Sequence, residues 1–172
     1  MKRILIFTGD GKGKTTAALG TVLRAAGHGK RSLIVQFIKE RADTGEVASC
    51  RFLPGVEIVQ MGRGFPPNPD DARFAAHRLA ATDALKFAAA ALVSGKYDLL
   101  VLDEICGAIA KKLVDEDSVI ALLQQPATTS CVILTGRNAS ARLMEQADTV
   151  TEMVCVRHAL KSGVKSQEGV EY

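Results

Sequence analysis

Phe7-Thr8-Gly9-Asp10-Gly11-Lys12-Gly13-Lys14-Thr15-Thr16 follows a short apolar run, Ile4 to Phe7, and opens a stretch of helical spacing from Lys14 to Ala26 that Gly27 is expected to close. Its glycines allow the backbone to fold back so that successive N–H groups point inward, and the start of a helix adds the positive end of its dipole. Lys14 supplies a charge, and the Thr15 hydroxyl is a ligand suited to magnesium. Strand, phosphate-cradling loop and helix in register are the pattern of a nucleoside-triphosphate site, and that register weakens the bland reading of a glycine-rich turn. The strict form of the pattern would carry glycine at position 8, where this chain has Thr8, so the loop is a variant.

Outward from this unit, unbroken apolar runs recur at Leu33 to Ile38, Val56 to Val59, Leu99 to Leu102, Cys131 to Leu134 and Thr149 to Val156. Such runs read as strands buried on both faces. Between them, Phe74, Ala81, Leu85, Ala88 and Leu92 recur at helical spacing up to Gly95, and Asp115 to Leu123 and Ala139 to Ala147 read as further helices. Strands alternating with helices predict an α/β fold of the P-loop (RecA-like) kind, three layers with a mostly parallel sheet flanked by helices. Ligands in such folds collect at the carboxyl ends of the strands. Lys39 to Cys50 and the proline-bearing Arg63 to Asp71 interrupt the rhythm and read as long loops near the site.

The 172 residues, 47% of them hydrophobic, suit a single domain spanning 1–172. A net charge of +3, from 22 Lys and Arg against 19 Asp and Glu, accommodates a phosphate-bearing ligand and shows no basic block of the kind that binds nucleic acid. No apolar run approaches the roughly 20 residues of a membrane span. Four cysteines without a C-x-x-C pair fit reduced thiols and a cytoplasmic setting.

The second acidic signal is Leu99-Leu100-Val101-Leu102-Asp103-Glu104, a buried strand that delivers two carboxylates to the edge where the phosphate loop should lie. Magnesium takes one or two protein oxygens and keeps several waters, so one acid is expected to meet the metal and the other to act through water, with Glu104 the first choice. Capping of the helix that follows at Cys106 is the competing role. Arg137, in Leu134-Thr135-Gly136-Arg137, stands at another strand's carboxyl end, placed to read charge. The three histidines, His28, His77 and His158, form no ligand cluster by spacing.

Taken in order, Thr8 to Thr16, Arg24-Ala25-Ala26-Gly27-His28-Gly29-Lys30, Val35-Gln36-Phe37-Ile38-Lys39, Leu102-Asp103-Glu104, Leu134 to Arg137, Ala147 to Met153 and Gly163 to Tyr172 resemble the corrinoid adenosyltransferases that act on cobalamin and its precursors, nearly end to end. The resemblance implies a homodimeric, magnesium-dependent enzyme. ATP would lie reversed in the loop and expose its 5′ carbon to the Co(I) of a reduced corrinoid, and triphosphate would leave intact. An electron donor such as a reduced flavoprotein would supply the reducing equivalents. Carried over, Gly9, Asp10, Gly11, Lys12, Gly13, Lys14, Thr15 and Thr16 would surround the phosphates. Thr15 with Glu104 and Asp103 would serve magnesium, and Asp10 and Arg24 would lie near the nucleotide. Lys12, Lys14 and Glu104 would be the catalytic groups, without a protein nucleophile. Where relatives carry a Gly-Phe-Thr-Trp loop against the corrin, this chain has Gly64-Phe65-Pro66-Pro67-Asn68; Phe65 is retained and the second aromatic is not. Two rivals stay open: a general P-loop ATPase releasing ADP and phosphate, which spacing alone does not exclude, and a RecA-like nucleic-acid-binding module, against which the 5% aromatic content and the net charge of +3 argue.

Overall fold

The computed structural model describes residues 2–40 and 44–170. Glu171 and Tyr172, at the end of the last motif above, lie outside the described residues. Six strands, β1 (Arg3–Thr8), β2 (Ser32–Gln36), β3 (Val56–Gln60), β4 (Leu99–Asp103), β5 (Cys131–Thr135) and β6 (Thr149–Glu152), form one sheet in the order β3-β2-β4-β5-β1-β6. Every neighbouring pair runs parallel. The helices are α1 (Lys14–Gly27), α2 (Gly45–Cys50), α3 (Phe74–Val93), α4 (Ile105–Ala110), α5 (Glu116–Gln124) and α6 (Ala141–Met144).

Side chains alternate across a strand, so a run that is apolar throughout must bury both faces. Leu99 and Val101 of β4 join Ile34 and Ile133 against Ala18 and Val22 of α1 and Cys50 of α2. Leu100 and Leu102 turn the other way, with Leu33, Val132 and Leu134, onto Ala84 and Ala88 of α3, Ile105 of α4, Val119 and Leu122 of α5 and Leu143 of α6. Each fully buried leucine of these layers contributes about 1.5–3 kcal/mol, and the three-layer α/β arrangement follows directly.

Three differences from the sequence reading have physical causes. The run Thr149 to Val156 is a strand only to Glu152, and it is exposed throughout, because β6 is an edge strand paired on one side with β1. The segment Lys39 to Cys50 is not all loop: Gly45–Cys50 is helical and seats Cys50 in the core. Helix α1 continues through Gly27 and turns at His28, whose N–H bonds back to the Ala25 carbonyl.

Candidate active site at the carboxyl edge of the sheet

Between β1 and α1 the chain turns with Gly9 at φ 93° and Gly13 at φ 110°, conformations that favour glycine. The loop is also laced to the segment after β6: Met153 N–H donates to the Thr8 carbonyl at 2.8 Å, and Gly11 N–H donates to the Met153 carbonyl at 2.6 Å. A side chain at Gly9 or Gly11 would meet the Met153 carbonyl at 2.5 or 2.6 Å. Thr8, the departure from the strict pattern, is buried and accepts the Ala139 N–H on its hydroxyl at 3.2 Å. The substitution therefore ties the loop to the turn after β5.

Lys14 lies back across the loop, its ammonium donating to the carbonyls of Gly9 at 2.8 Å and Gly11 at 2.6 Å. Burial lowers its pKa, against the opposing pull of Glu104. With Lys12, Gly13, Thr15, Thr16, Glu104 and Glu46, Lys14 lines a cavity of about 510 Å³. No acidic residue occupies the first turn of α1, so no carboxylate of that turn opposes an anion at its N-terminus.

Asp103 is fully buried behind Thr15. Its Oδ1 accepts the hydroxyls of Thr15 at 2.8 Å and Thr135 at 2.7 Å, and its Oδ2 accepts Gln36 Nε2 at 3.0 Å. Gln36 in turn accepts from Gln60 at 2.8 Å. One carboxylate thus joins α1 to β2, β4 and β5, with β3 attached through the glutamine pair. Because Thr15 gives its proton to Asp103, its oxygen lone pairs are directed away from that carboxylate.

Glu104 is the first residue past β4 and adopts φ 65°, a left-handed conformation that costs a non-glycine residue about 1 kcal/mol. Its N–H is held by the Thr135 hydroxyl at 2.9 Å. Burial first, then the adjacent Asp103, raises its pKa above the ordinary carboxylate value, and Lys14, Lys39 and Arg137 only partly offset this. The chain therefore holds a strained, destabilised acid at the cavity.

The remaining residues singled out in the sequence are placed as follows. Arg137 and Asp10 approach each other at 3.9 Å, both largely exposed, on the rim. Phe65 is 85% exposed on the loop that leaves β3. That loop is pinned by Gly62, where an added Cβ would lie 2.3 Å from the Ile38 carbonyl carbon. Arg24 is exposed near the far end of α1, about 15 Å of helical rise from Lys14, and the fold does not bring it to the cavity within one chain. Lys12 donates to the Val170 carbonyl, so the C-terminal segment borders the cavity as well. The contribution of Lys39 and Glu46 was not foreseen from spacing; both line the same cavity, and their ammonium and carboxylate meet at 2.7 Å.

A parallel three-layer sheet with a glycine-rich loop, a lysine over that loop and a threonine–aspartate pair beneath it defines a P-loop nucleotide-binding domain. The family described as "ATP:corrinoid adenosyltransferase BtuR/CobO/CobP" matches residues 1–172. A corrinoid adenosyltransferase of Pseudomonas aeruginosa is 42% identical over 170 residues, covering 98% of this chain and 83% of the relative. One of Escherichia coli K12 is 38% identical over 169 residues, with 98% and 85% covered. Among solved structures, the flagellar accessory protein FlaH of Methanocaldococcus jannaschii shares the fold at a TM-score of 0.55 and 13% identity, over 88% of this chain and 70% of that one. The chain belongs to the ATP:corrinoid adenosyltransferase family. It is accordingly a transferase whose substrates are ATP and a corrinoid.

Proposed function

We propose that residues 1–172 act as one catalytic domain that moves the 5′-deoxyadenosyl group of ATP onto the Co(I) of a reduced corrinoid. The observation that carries this reading is the cavity itself: the phosphate loop, Lys14 and Thr15 beside Glu104, in a chain of this family. Gly9 to Thr16 would hold the phosphates through backbone N–H groups. The Co(I) electron pair forms the bond to C5′, the C5′–oxygen bond breaks, and its electrons leave with triphosphate, so cobalt ends as Co(III). Lys14 and Lys12 would stabilise the charge gathering on the departing triphosphate. With both substrates held in line the step becomes effectively unimolecular.

Magnesium fits the donor set. The Thr15 oxygen, its proton committed to Asp103, and the Glu104 carboxylate line one cavity, and hard oxygen donors of this number suit the ion. When bound it would supply charge neutralisation to the phosphates. Asp103, which accepts the Thr15 hydroxyl and two further hydrogen bonds, would act through Thr15. Phe65 would offer its exposed ring to the corrin. Arg24, remote from this cavity, would reach a nucleotide only in a two-copy assembly, which is the unit we propose. Reducing equivalents would come from a donor such as a reduced flavoprotein, in the cytoplasm.

The test is anaerobic mixing of the purified protein with cob(I)alamin, ATP and magnesium. Loss of the Co(I) absorbance with release of intact triphosphate is the expected result. Production of ADP and phosphate with cobalt untouched would replace the transferase reading by the ATPase one.

A further inference from the structure

Lys39 stands three residues beyond the end of β2, and its backbone is unusually well anchored for a loop. Phe37 and Ile38 before it are buried, at 1% and 5% exposure, and Phe37 N–H donates to the Asp103 carbonyl at 3.0 Å. The Ile38 backbone is clamped by the close approach of Gly62. A lysine on such a stem is delivered into the cavity rather than left to sample solvent, and 68% of its side chain is indeed buried, since 32% is exposed.

Two carboxylates attract its ammonium, Glu46 at 2.7 Å and Asp103 at 3.7 Å, and these pairings leave part of its donor capacity unused. Asp103 already accepts three hydrogen bonds, and the Lys39 ammonium stands 3.7 Å from it, beyond hydrogen-bond distance. Among the described residues the ammonium makes one hydrogen bond, to Glu46 at 2.7 Å. An ammonium carries three donors. Glu46 is itself placed in the first turn of α2, where the helix N-terminus favours a carboxylate without help from a lysine. Lys39 therefore brings donor capacity to a cavity wall it shares with Lys14, Thr15 and Glu104.

We propose that Lys39 is a second phosphate-contacting lysine, held in the free protein by Glu46 and turned onto the anionic chain of the bound triphosphate. Glu46 then acts as a placeholder, an internal anion that keeps the ammonium at the cavity until a more highly charged one arrives. A triphosphate outcompetes a single carboxylate because each of its oxygens is a charge-assisted acceptor. Two lysines lining one cavity, Lys14 over the loop and Lys39 from the end of β2, would both reach the chain of phosphates. This inference rests on the reading of the cavity as an ATP site.

The experiment titrates inorganic tripolyphosphate with magnesium into the full chain by calorimetry, using wild type, Lys39→Met, Lys39→Arg and Glu46→Gln. Wild type should bind, Lys39→Met should bind roughly 10- to 100-fold more weakly, and Lys39→Arg should keep most of the affinity. Glu46→Gln should bind as tightly as wild type or more tightly, because the competing anion is gone. A purely structural role for the lysine predicts the opposite for Glu46→Gln, which would then weaken binding along with Lys39→Met. Unchanged binding by Lys39→Met, weakened binding by Glu46→Gln, or no binding by wild type each overturns the proposal. Should Lys39→Met fail to fold, the Lys39→Arg and Glu46→Gln titrations decide on the same terms. The adenosylation assay stays separate: wild type that binds tripolyphosphate but makes no adenosylated corrinoid refutes the transferase reading and leaves the lysine's role standing.

Discussion

The hydroxyl of Thr15 and the carboxylate of Asp103 lie 2.8 Å apart across the junction of α1 and β4, and Thr135 crowds the same carboxylate oxygen at 2.7 Å. Replacing Asp103 by Asn puts an amide donor where Thr15, Thr135 and Gln36 all donate. With the Gln36 and Gln60 amides oriented as they are, one donor then goes unanswered in a fully buried position. The variant should lose about 1–3 kcal/mol of stability and much of its turnover, read by denaturant melts and the cobalt assay. An Asn variant with wild-type stability would show that this carboxylate does not join the strands as described.

Lys14→Ala removes the ammonium that crosses the phosphate loop. Turnover should fall roughly 100- to 1000-fold while the melting temperature changes little. Near-normal turnover would strip Lys14 of its role in stabilising the leaving group.

Two glycine substitutions should act with opposite sign. Gly62→Ala drives a methyl to 2.3 Å from the Ile38 backbone, and backbone cannot swing aside as a side chain can. A loss of about 3 kcal/mol or more is expected, together with weaker binding at the cavity. Gly20→Ala, inside α1 with nothing within 4 Å of the new methyl, should stabilise by about 0.5–1 kcal/mol. Equal melting temperatures for the pair would contradict both packing assignments.

Acid sensitivity should be traceable to Asp98. The Arg31 N–H donates to its carboxylate at 2.9 Å, and this bond, with Lys30 nearby, holds its pKa below the ordinary value. A carboxylate lowered by folding adds stability above its unfolded pKa and surrenders it as pH falls through the folded one. Asp98→Asn should therefore be the less stable protein at neutral pH and lose less on acidification. Parallel pH–stability curves for the two proteins would refute the linkage.

Thiol reactivity offers an independent check of the core. Burial pushes the Cys106 thiol up to about 12 and the Cys131 thiol up to about 11. At pH 8 the native protein should leave Cys106 unlabelled by a thiol reagent, and labelling should reach it only on unfolding. Mass spectrometry that finds Cys106 modified in the native state would place it wrongly in the core.

The central strands were legible because burial on two faces leaves an unbroken apolar run, as in Leu99 to Leu102. The edge position of β6 was less legible: Thr149 to Val156 reads as one more unbroken apolar run, although Thr149, Thr151 and Glu152 interrupt it, and Val150 is 40% exposed. The polar residues of β6 are the local sign of its lower burial; which strand it pairs with is not written locally. The strand, loop and helix in register around Gly9 to Thr16 could be read because these residues are contiguous, whereas the lacing of the loop to Met153 could not. The meeting of Lys39 with Glu46 could not, for it depends on a six-residue helix and on where Gly62 lets the Ile38 backbone lie. Asp103 was read as a candidate metal ligand; its three hydrogen-bond donors come from α1, β2 and β5, and only the assembled sheet brings them together.

The lacing of Thr8 and Gly11 to Met153 bears on the order of events during synthesis. The loop is translated before the partner that shapes it, with β2 to β6 in between, and β1 pairs with β5 and β6, which follow it in the chain. A nascent chain still short of Met153 carries the phosphate-binding sequence without its geometry. Nucleotide is therefore expected to be gripped only once β6 has docked, because the loop takes its shape from the segment that follows that strand.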